Sequence, residues 1–145
     1  MNYWDTSCLL KLYVRESDSD AYLALLADQT TPLFASALAE VEFAFALARK
    51  ESEGCLKRGA AAALTQFLKN HAAQGKIRFL PIDAAVRNRA VALAQSRGTN
   101  GKSRLSLRTL DGIHLATALE MRAARFLTAD IRLRTAARVY GLEVL

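Results

Sequence analysis

The sequence has few cysteines, prolines and glycines, and it has no long apolar run. Its 145 residues include 2 cysteines, 2 prolines and 7 glycines. Cys8 and Cys55 are far apart and belong to no CxxC pair or Cys/His cluster, so we expect reduced structural thiols. The longest apolar runs are well below the roughly 20 residues that cross a bilayer. No basic region precedes an apolar stretch at the N-terminus, so we predict a cytoplasmic protein without signal peptide or membrane segment.

The composition is that of a basic globular protein. Apolar residues make up 52% of the chain and charged residues 23%, which gives no sign of disorder. We expect a chain of this length to form one domain, residues 1–145, with a core of its own. The net charge of +6 favours acidic partners, nucleic acid above all. Many basic proteins bind no anion, however, so charge alone does not decide the function.

Short apolar segments alternate with helical segments along the chain. Consecutive parallel strands need crossover helices, so this order predicts an α/β fold with a parallel sheet covered on both faces. Strands are expected at the segment ending at Asp5 and at 32–36, 76–82, 125–129 and 142–145. Helices are expected at 7–14, 17–26, 37–50, 56–75, 84–98, around Asp111 and at 131–140.

Three acids are candidates for a ligand site, two by their position after strands and one by its place on a helix. Asp5 and Asp130 end predicted strands, and ligands of open α/β sheets bind outside the carboxyl ends of the strands. Asp111, in "RTLDGIHLATAL", shares a helical face with Leu115 and Ala118. An isolated charge costs several kcal/mol to bury, so a carboxylate aimed along an apolar face calls for a positive partner.

A fourth acid lies in the middle of the predicted helix 37–50. Glu42 shares a face with Leu38, Phe45 and Ala46, which predicts an inward side chain. Glu40 points to another side of the helix and is expected to be solvated.

Each acid taken singly also has a structural explanation. Asp5 and Asp130 could be helix N-caps, the common role of an aspartate after a strand. Glu42 could pair with Arg49, two turns along the same helix, and Asp111 could be a first-turn acid favoured by the helix dipole. These alternatives stay open, although the four acids together favour a shared site.

Clustered carboxylates repel, and a divalent cation is the usual remedy. Oxygen ligands without a Cys or His cluster suit Mg²⁺ or Mn²⁺ rather than zinc. Such an ion polarises a phosphoryl group and activates water. Beside a basic surface, this site suggests hydrolysis of phosphodiester bonds.

Five segments spread over the whole chain carry a family resemblance. They are "WDTSCLLKLY", "SALAEVEFAFALAR" (36–49), "LRTLDGIHLATALEMRA" (107–123), "FLTADIRLRTAA" (126–137) and "YGLEVL". In this order they resemble a PIN-domain ribonuclease, specifically a VapC-type toxin of a type II toxin–antitoxin pair. The resemblance implies a three-layer α/β/α sandwich with a mainly parallel sheet and acids at the strand ends.

The resemblance also implies the site residues. The family's four acids fall on Asp5, Glu42, Asp111 and Asp130, which are the inward-facing acids found above. Asp5 and Asp111 are expected to bind Mg²⁺ or Mn²⁺ directly, whereas Glu42 and Asp130 bind it directly, act through water or orient the nucleophile. Three hydroxyls are expected to hydrogen-bond these carboxylates: Thr6, Ser7 and Thr128.

His114 is expected to be a core or supporting residue, since metal-activated water needs no histidine. The family's substrate is RNA, cut to leave a 3′-hydroxyl and a 5′-phosphate, and its partner is an antitoxin protein that occludes the site of a homodimer. For contacts to the RNA backbone we choose, by charge alone, the loop before Asp111, although a solvated loop is the alternative. Its candidate residues are Lys102, Arg104 and Arg108.

Two other functions compete with a nuclease. A phosphoacceptor signalling domain also has acids at strand ends, but it needs a downstream lysine, and here "FLTAD" is followed by Ile131 and Arg132. A PIN-like module that only binds RNA or protein would not need the complete set of four acids. Both alternatives are therefore ranked below an endoribonuclease.

Overall fold

The computed structural model describes residues 1–96 and 107–145, which form a five-stranded sheet flanked by helices. Every hydrogen-bonded strand pair is parallel. The strand order is β3-β2-β1-β4-β5, so the chain starts in the centre of the sheet. This confirms the predicted α/β class. The strands are β1 (Asn2–Trp4), β2 (Leu33–Ser36), β3 (Ile77–Leu80), β4 (Arg125–Leu127) and β5 (Glu143–Val144).

The described helices occur in the predicted order, with differences at their ends. The helix expected at 56–75 begins only at Ala60, because Gly59 before it adopts the left-handed conformation, with φ of 86°. The helix expected at 84–98 ends at Gln95. The helices are α1 (Thr6–Lys11), α2 (Ser19–Ala27), α3 (Leu38–Ser52), α4 (Ala60–Ala73), α5 (Ala84–Gln95), α6 (Thr109–Glu120) and α7 (Ile131–Val139).

An aspartate caps the helix at three of the strand-to-helix turns. Asp5 accepts a hydrogen bond from a backbone N–H of α1, and Asp83 accepts one from α5. Asp130 accepts two from α7. Each cap satisfies N–H groups that have no partner within the helix. Since the strands are parallel, these turns place Asp5 and Asp130 at the carboxyl edge of adjacent strands β1 and β4.

Two apolar clusters pack on opposite faces of the sheet. Successive strand residues point to opposite faces, so Tyr3 joins one cluster and Trp4 the other. Phe126 and Leu127 of β4 divide in the same way. Helices cover both faces as a result, which confirms the three-layer sandwich.

The buried face of α3 differs from the predicted one. Ala39, Phe43 and Leu47, four residues apart, are fully buried, whereas Phe45 is 74% exposed. Of the three residues used to predict an inward Glu42, Phe45 is exposed, whereas Leu38 and Ala46 are partly buried. Glu42 lies about 100° around the helix from Phe43. That places it at the border of the buried face, where it is half-buried.

Two further observations concern the thiols and the helices. Cys8 is buried and Cys55 exposed, and both are free. Within residues 1–96 and 107–145, no helix is both long and apolar enough to cross a membrane.

Candidate functional site

An open cavity of about 490 Å³ lies at the carboxyl edge of the sheet, and all four predicted acids line it. Asp5 comes from the β1–α1 turn and Asp130 from the β4–α7 turn. Glu42 comes from the middle of α3 and Asp111 from the first turn of α6. Four segments that are distant in sequence therefore place their carboxylates in the lining of one cavity.

Asp5 is only 5% exposed, and its carboxylate accepts hydrogen bonds from three protein donors. Its Oδ1 accepts from Ser7 Oγ at 2.6 Å and from the Cys8 backbone N–H at 3.0 Å. Its Oδ2 accepts from Thr128 Oγ1 at 2.6 Å. Burying a carboxylate without such donors would be costly. Two of the three predicted hydroxyls, those of Ser7 and Thr128, therefore contact Asp5.

Glu42 is bound through one of its two carboxylate oxygens. Oε2 accepts from the Thr6 hydroxyl and from His114 Nε2, the latter at 2.7 Å. Burial would raise the pKa of Glu42, but the hydrogen bonds from His114 and Thr6 outweigh it and hold this pKa below its ordinary value. The partner of Glu42 is thus His114 rather than Arg49. Glu40 is partly buried and does not line the cavity.

His114 is 3% exposed and connects Glu42 to the core of the protein. Its Nδ1 lies 2.6 Å from Tyr3 Oη, and Tyr3 Oη accepts from the Ser36 backbone N–H at 3.1 Å. The histidine is buried as expected, but sequence reasoning did not find its partners. Tyr3 is separated from it by 111 residues, so no local pattern joins them.

Asp111 and Asp130 repel each other across the cavity. Asp130 Oδ1 accepts from the backbone N–H groups of Arg132 at 2.7 Å and Leu133 at 3.2 Å. Burial and the negative charge of Asp130 raise the pKa of Asp111, and the opposing influence of Arg108 is weaker. This charge is therefore poorly compensated by the protein alone.

Asp5 and Asp130 combine two roles that the sequence analysis treated as alternatives. Both cap helices, and both line the cavity. For Asp130 the two capping N–H groups bind the same oxygen, Oδ1. Capping therefore does not withdraw either side chain from the site.

Two arginines line the same cavity. Arg108 lies just before α6 and was predicted to contact RNA, whereas Arg49 was considered only as a partner for Glu42. Arg49 follows Glu42 by seven residues, two helical turns, and this spacing is the signal that could have found it. Lys102 and Arg104, the other predicted contacts, lie outside the described residues.

The donor chemistry of the cavity suits a hard cation. Its acidic ligands are all carboxylates, the type that Mg²⁺ and Mn²⁺ prefer. Burial and the negative charge of Asp130 raise the pKa of Asp111, and a nearby cation would oppose both effects. Within residues 1–96 and 107–145, no three His, Cys, Asp or Glu side chains already converge closely enough to hold an ion. Cation binding would therefore draw the carboxylates together.

Two larger cavities lie elsewhere and are lined mainly by apolar side chains. One, of about 630 Å³, lies where β2 and β3 begin, at the opposite edge of the sheet. The other, of about 560 Å³, lies between α5 and α6. Among the described residues, neither lining includes a carboxylate. The smaller acidic cavity is the candidate site because its chemistry, rather than its size, distinguishes it.

Comparison with known proteins agrees with this architecture. The family profile of the PIN domain matches residues 3–139. Ribonuclease VapC46 of Mycobacterium tuberculosis is 35% identical over 99% of this chain and 95% of its own length. Ribonuclease VapC35 of the same species is 34% identical with the same coverage.

Solved structures share the fold at lower identity. VapC20 of Mycobacterium tuberculosis, described as a sarcin-ricin loop cleaving toxin, has a TM-score of 0.70 at 14% identity, covering 94% of this chain and 95% of its own. VapBC2 of Rickettsia felis, bound to a DNA fragment from its promoter, has a TM-score of 0.69 at 14% identity, covering 100% and 98%. These likenesses support the fold assigned above.

Proposed function

This chain belongs to the PIN domain family, and we propose that it is a Mg²⁺- or Mn²⁺-dependent endoribonuclease, the toxin of a type II toxin–antitoxin pair. The observation that carries the proposal is the meeting of four carboxylates and two arginines in one cavity. Relatives named as ribonucleases, 35% and 34% identical over nearly the whole chain, support the same activity.

Asp5 and Asp111 are the residues that we assign to direct binding of the cation. Asp5 is already fixed by three donors, so its position changes little when a ligand arrives. Burial and the charge of Asp130 raise the pKa of Asp111, so a cation would stabilise its ionised form. A bound Mg²⁺ or Mn²⁺ supplies charge compensation, polarisation of a phosphoryl oxygen and a more acidic water.

Glu42 and Asp130 each have one carboxylate oxygen without a protein donor among the described contacts, Oε1 and Oδ2 respectively. We assign these oxygens to the cation or to the attacking water. Hydrolysis joins the water oxygen to phosphorus and breaks the bond from phosphorus to the 3′-oxygen. The proton of the attacking water passes to a carboxylate, and the departing 3′-oxygen takes up a proton from solvent water. The products are a 5′-phosphate and a 3′-hydroxyl.

Arg49 and Arg108 bind the RNA backbone in this proposal. Both line the acidic cavity, where each guanidinium can donate two hydrogen bonds to a phosphate. Lys102 and Arg104 remain predicted contacts on the preceding loop. Because phosphate contacts release counterions, binding is expected to weaken as salt increases.

The partners follow from the same family. The similar structures include FitAB bound to a DNA fragment and a toxin–antitoxin complex from Klebsiella pneumoniae. We propose that this chain likewise binds a cognate antitoxin, forms a homodimer and acts in the cytoplasm.

The test is cleavage of total cellular RNA by the purified chain with Mg²⁺ or Mn²⁺, and with a chelator. Asp5→Asn should abolish cleavage. Asp83→Asn is the matched control, because Asp83 also caps a helix after a strand but does not line the cavity. Cleavage should survive in this control. Binding of RNA without cleavage at millimolar Mg²⁺ and Mn²⁺, or equal cleavage by both variants, would contradict the proposal.

A further inference from the structure

A buried chain of hydrogen bonds runs from β2 to the acidic cavity. The Ser36 backbone N–H donates to Tyr3 Oη at 3.1 Å, and Tyr3 Oη lies 2.6 Å from His114 Nδ1. His114 Nε2 lies 2.7 Å from Glu42 Oε2. Tyr3 and His114 are both buried, so water does not offer them alternative partners.

The donors and acceptors favour one arrangement of the protons. A backbone N–H can only donate, so Tyr3 Oη accepts from Ser36 and can donate its own hydrogen to His114 Nδ1. With Nδ1 as the acceptor, a singly protonated imidazole has its proton on Nε2. That nitrogen then donates to Glu42.

We infer that His114, held by Tyr3 as the Nε2–H tautomer, is a positioning residue that fixes Glu42 with one carboxylate oxygen bound and the other available. Oε2 receives both His114 and the Thr6 hydroxyl, whereas Oε1 has no protein donor among the described contacts. The inference rests on the proposed nuclease function, in which Oε1 meets the cation or the attacking water. It adds that the buried residues Tyr3 and His114 orient the carboxylate of Glu42 through hydrogen bonds.

Packing prevents the two rings from turning away. The Tyr3 ring stacks on Phe126 with centroids 5.2 Å apart and an angle of 9° between planes. It meets the His114 ring edge-on, at 6.0 Å and 70°. The neighbours Leu115 and Ala116 on α6 are fully buried. A supporting hydrogen bond from a rigid core positions a carboxylate more accurately than one from a loop.

The chain contains a matched control for this pair. Tyr13 Oη lies 2.7 Å from His71 Nδ1, the same contact between the same residue types. That pair lines the apolar cavity at the opposite edge of the sheet. Its variants test the loss of a Tyr–His hydrogen bond without touching the acidic cavity.

The proton positions can be observed directly by ¹⁵N NMR of histidine side chains in the metal-free protein. The chain has 2 histidines, so His71→Gln assigns the signals. We expect His114 to carry its proton on Nε2, with Nδ1 unprotonated and hydrogen-bonded. A proton on Nδ1 would overturn the inference.

The role toward Glu42 is tested with three variants: His114→Leu, His114→Gln and Tyr3→Phe. We measure Mn²⁺ affinity by electron paramagnetic resonance, and kcat and KM on an RNA oligonucleotide. Loss of such a supporting contact lowers metal affinity or activity by about 10- to 100-fold. We expect this loss in Mn²⁺ affinity and kcat for His114→Leu and Tyr3→Phe, with KM unchanged. His114→Gln should recover part of it, because its amide can donate to Glu42.

The outcomes separate this inference from the proposed function. His71→Gln and Tyr13→Phe should match the wild type in Mn²⁺ affinity and kcat. If RNA is cleaved and Asp5→Asn abolishes cleavage, but Tyr3→Phe matches the wild type, the inference is wrong and the function stands. If His114→Leu fails to fold, Tyr3→Phe still tests the inference, because the Tyr3→Phe substitution removes only a hydroxyl. Absence of wild-type cleavage overturns the function and, with it, the role assigned to Glu42.

Discussion

Thr128 holds the best-buried carboxylate of the site, and replacing it with valine should destabilise the protein. Thr128 is 0% exposed. Its hydroxyl donates to Asp5 Oδ2 at 2.6 Å and accepts from the Asp130 backbone N–H at 3.0 Å. Valine has nearly the same shape, so Thr128→Val removes the two hydrogen bonds and leaves the packing intact.

The expected loss follows from these two contacts. A hydrogen bond to a charged group contributes about 1.5–3 kcal/mol, and leaving the Asp130 N–H unpaired costs about 1 kcal/mol more. We therefore expect the free energy of unfolding to fall by roughly 2.5–4 kcal/mol. For a domain of this size, that lowers Tm by about 8–13 °C.

Urea denaturation of the metal-free protein measures this change, with an unchanged m-value as evidence that the variant unfolds in the same way. Thr128→Ser should recover most of the loss, since it keeps the hydroxyl. Thr135→Val is the control, because Thr135 is exposed and its hydroxyl donates to the backbone carbonyl of Ile131 in the same helix. It should stay within about 0.5 kcal/mol of the wild type. A Thr128→Val variant within that same range would refute the proposed support of Asp5.

Three further outcomes are expected. Asp111→Asn should raise the Tm of the metal-free protein at neutral pH. The pKa of Asp111 is raised in the folded protein, so its contribution to stability is present at low pH and is lost as pH rises. Asparagine does not ionise and therefore avoids this loss. A lower Tm would contradict the repulsion from Asp130. Millimolar Mg²⁺ or Mn²⁺ should raise the wild-type Tm, because a ligand at 100 times its Kd adds about 2.7 kcal/mol to the free energy of unfolding. The Tm of Asp111→Asn should rise much less. Equal shifts in Tm would show that the ion binds elsewhere. Glu42→Gln should impair RNA cleavage far more than Glu40→Gln, and equal damage would contradict the assignment of Glu42.

The strand-end acids could be predicted because topology alone places them. Asp5 and Asp130 follow strands of a parallel sheet, and any such sheet gathers its carboxyl ends at one edge. The sequence could not tell whether they cap helices or line a site, because one carboxylate can do both. Deciding this needs the three-dimensional arrangement of the other two acids.

The acids on helices could be predicted only in part from hydrophobic periodicity. Glu42 was predicted to face inward from an apolar stripe on which Phe45 is in fact largely exposed. The structure adds a contact with His114, 72 residues away in sequence, that the stripe could not reveal. Pairings of this kind depend on how α3 and α6 pack, and hydrophobic patterns along one helix do not contain that information.

The most direct test of the central claim is anomalous diffraction from crystals of the chain soaked in Mn²⁺. We predict a manganese peak in the acidic cavity, bonded to carboxylate oxygens of Asp5 and Asp111. Crystals saturated with Mn²⁺ that show no peak in this cavity, or a peak only elsewhere on the protein, would contradict the claim that these acids meet around a hard cation.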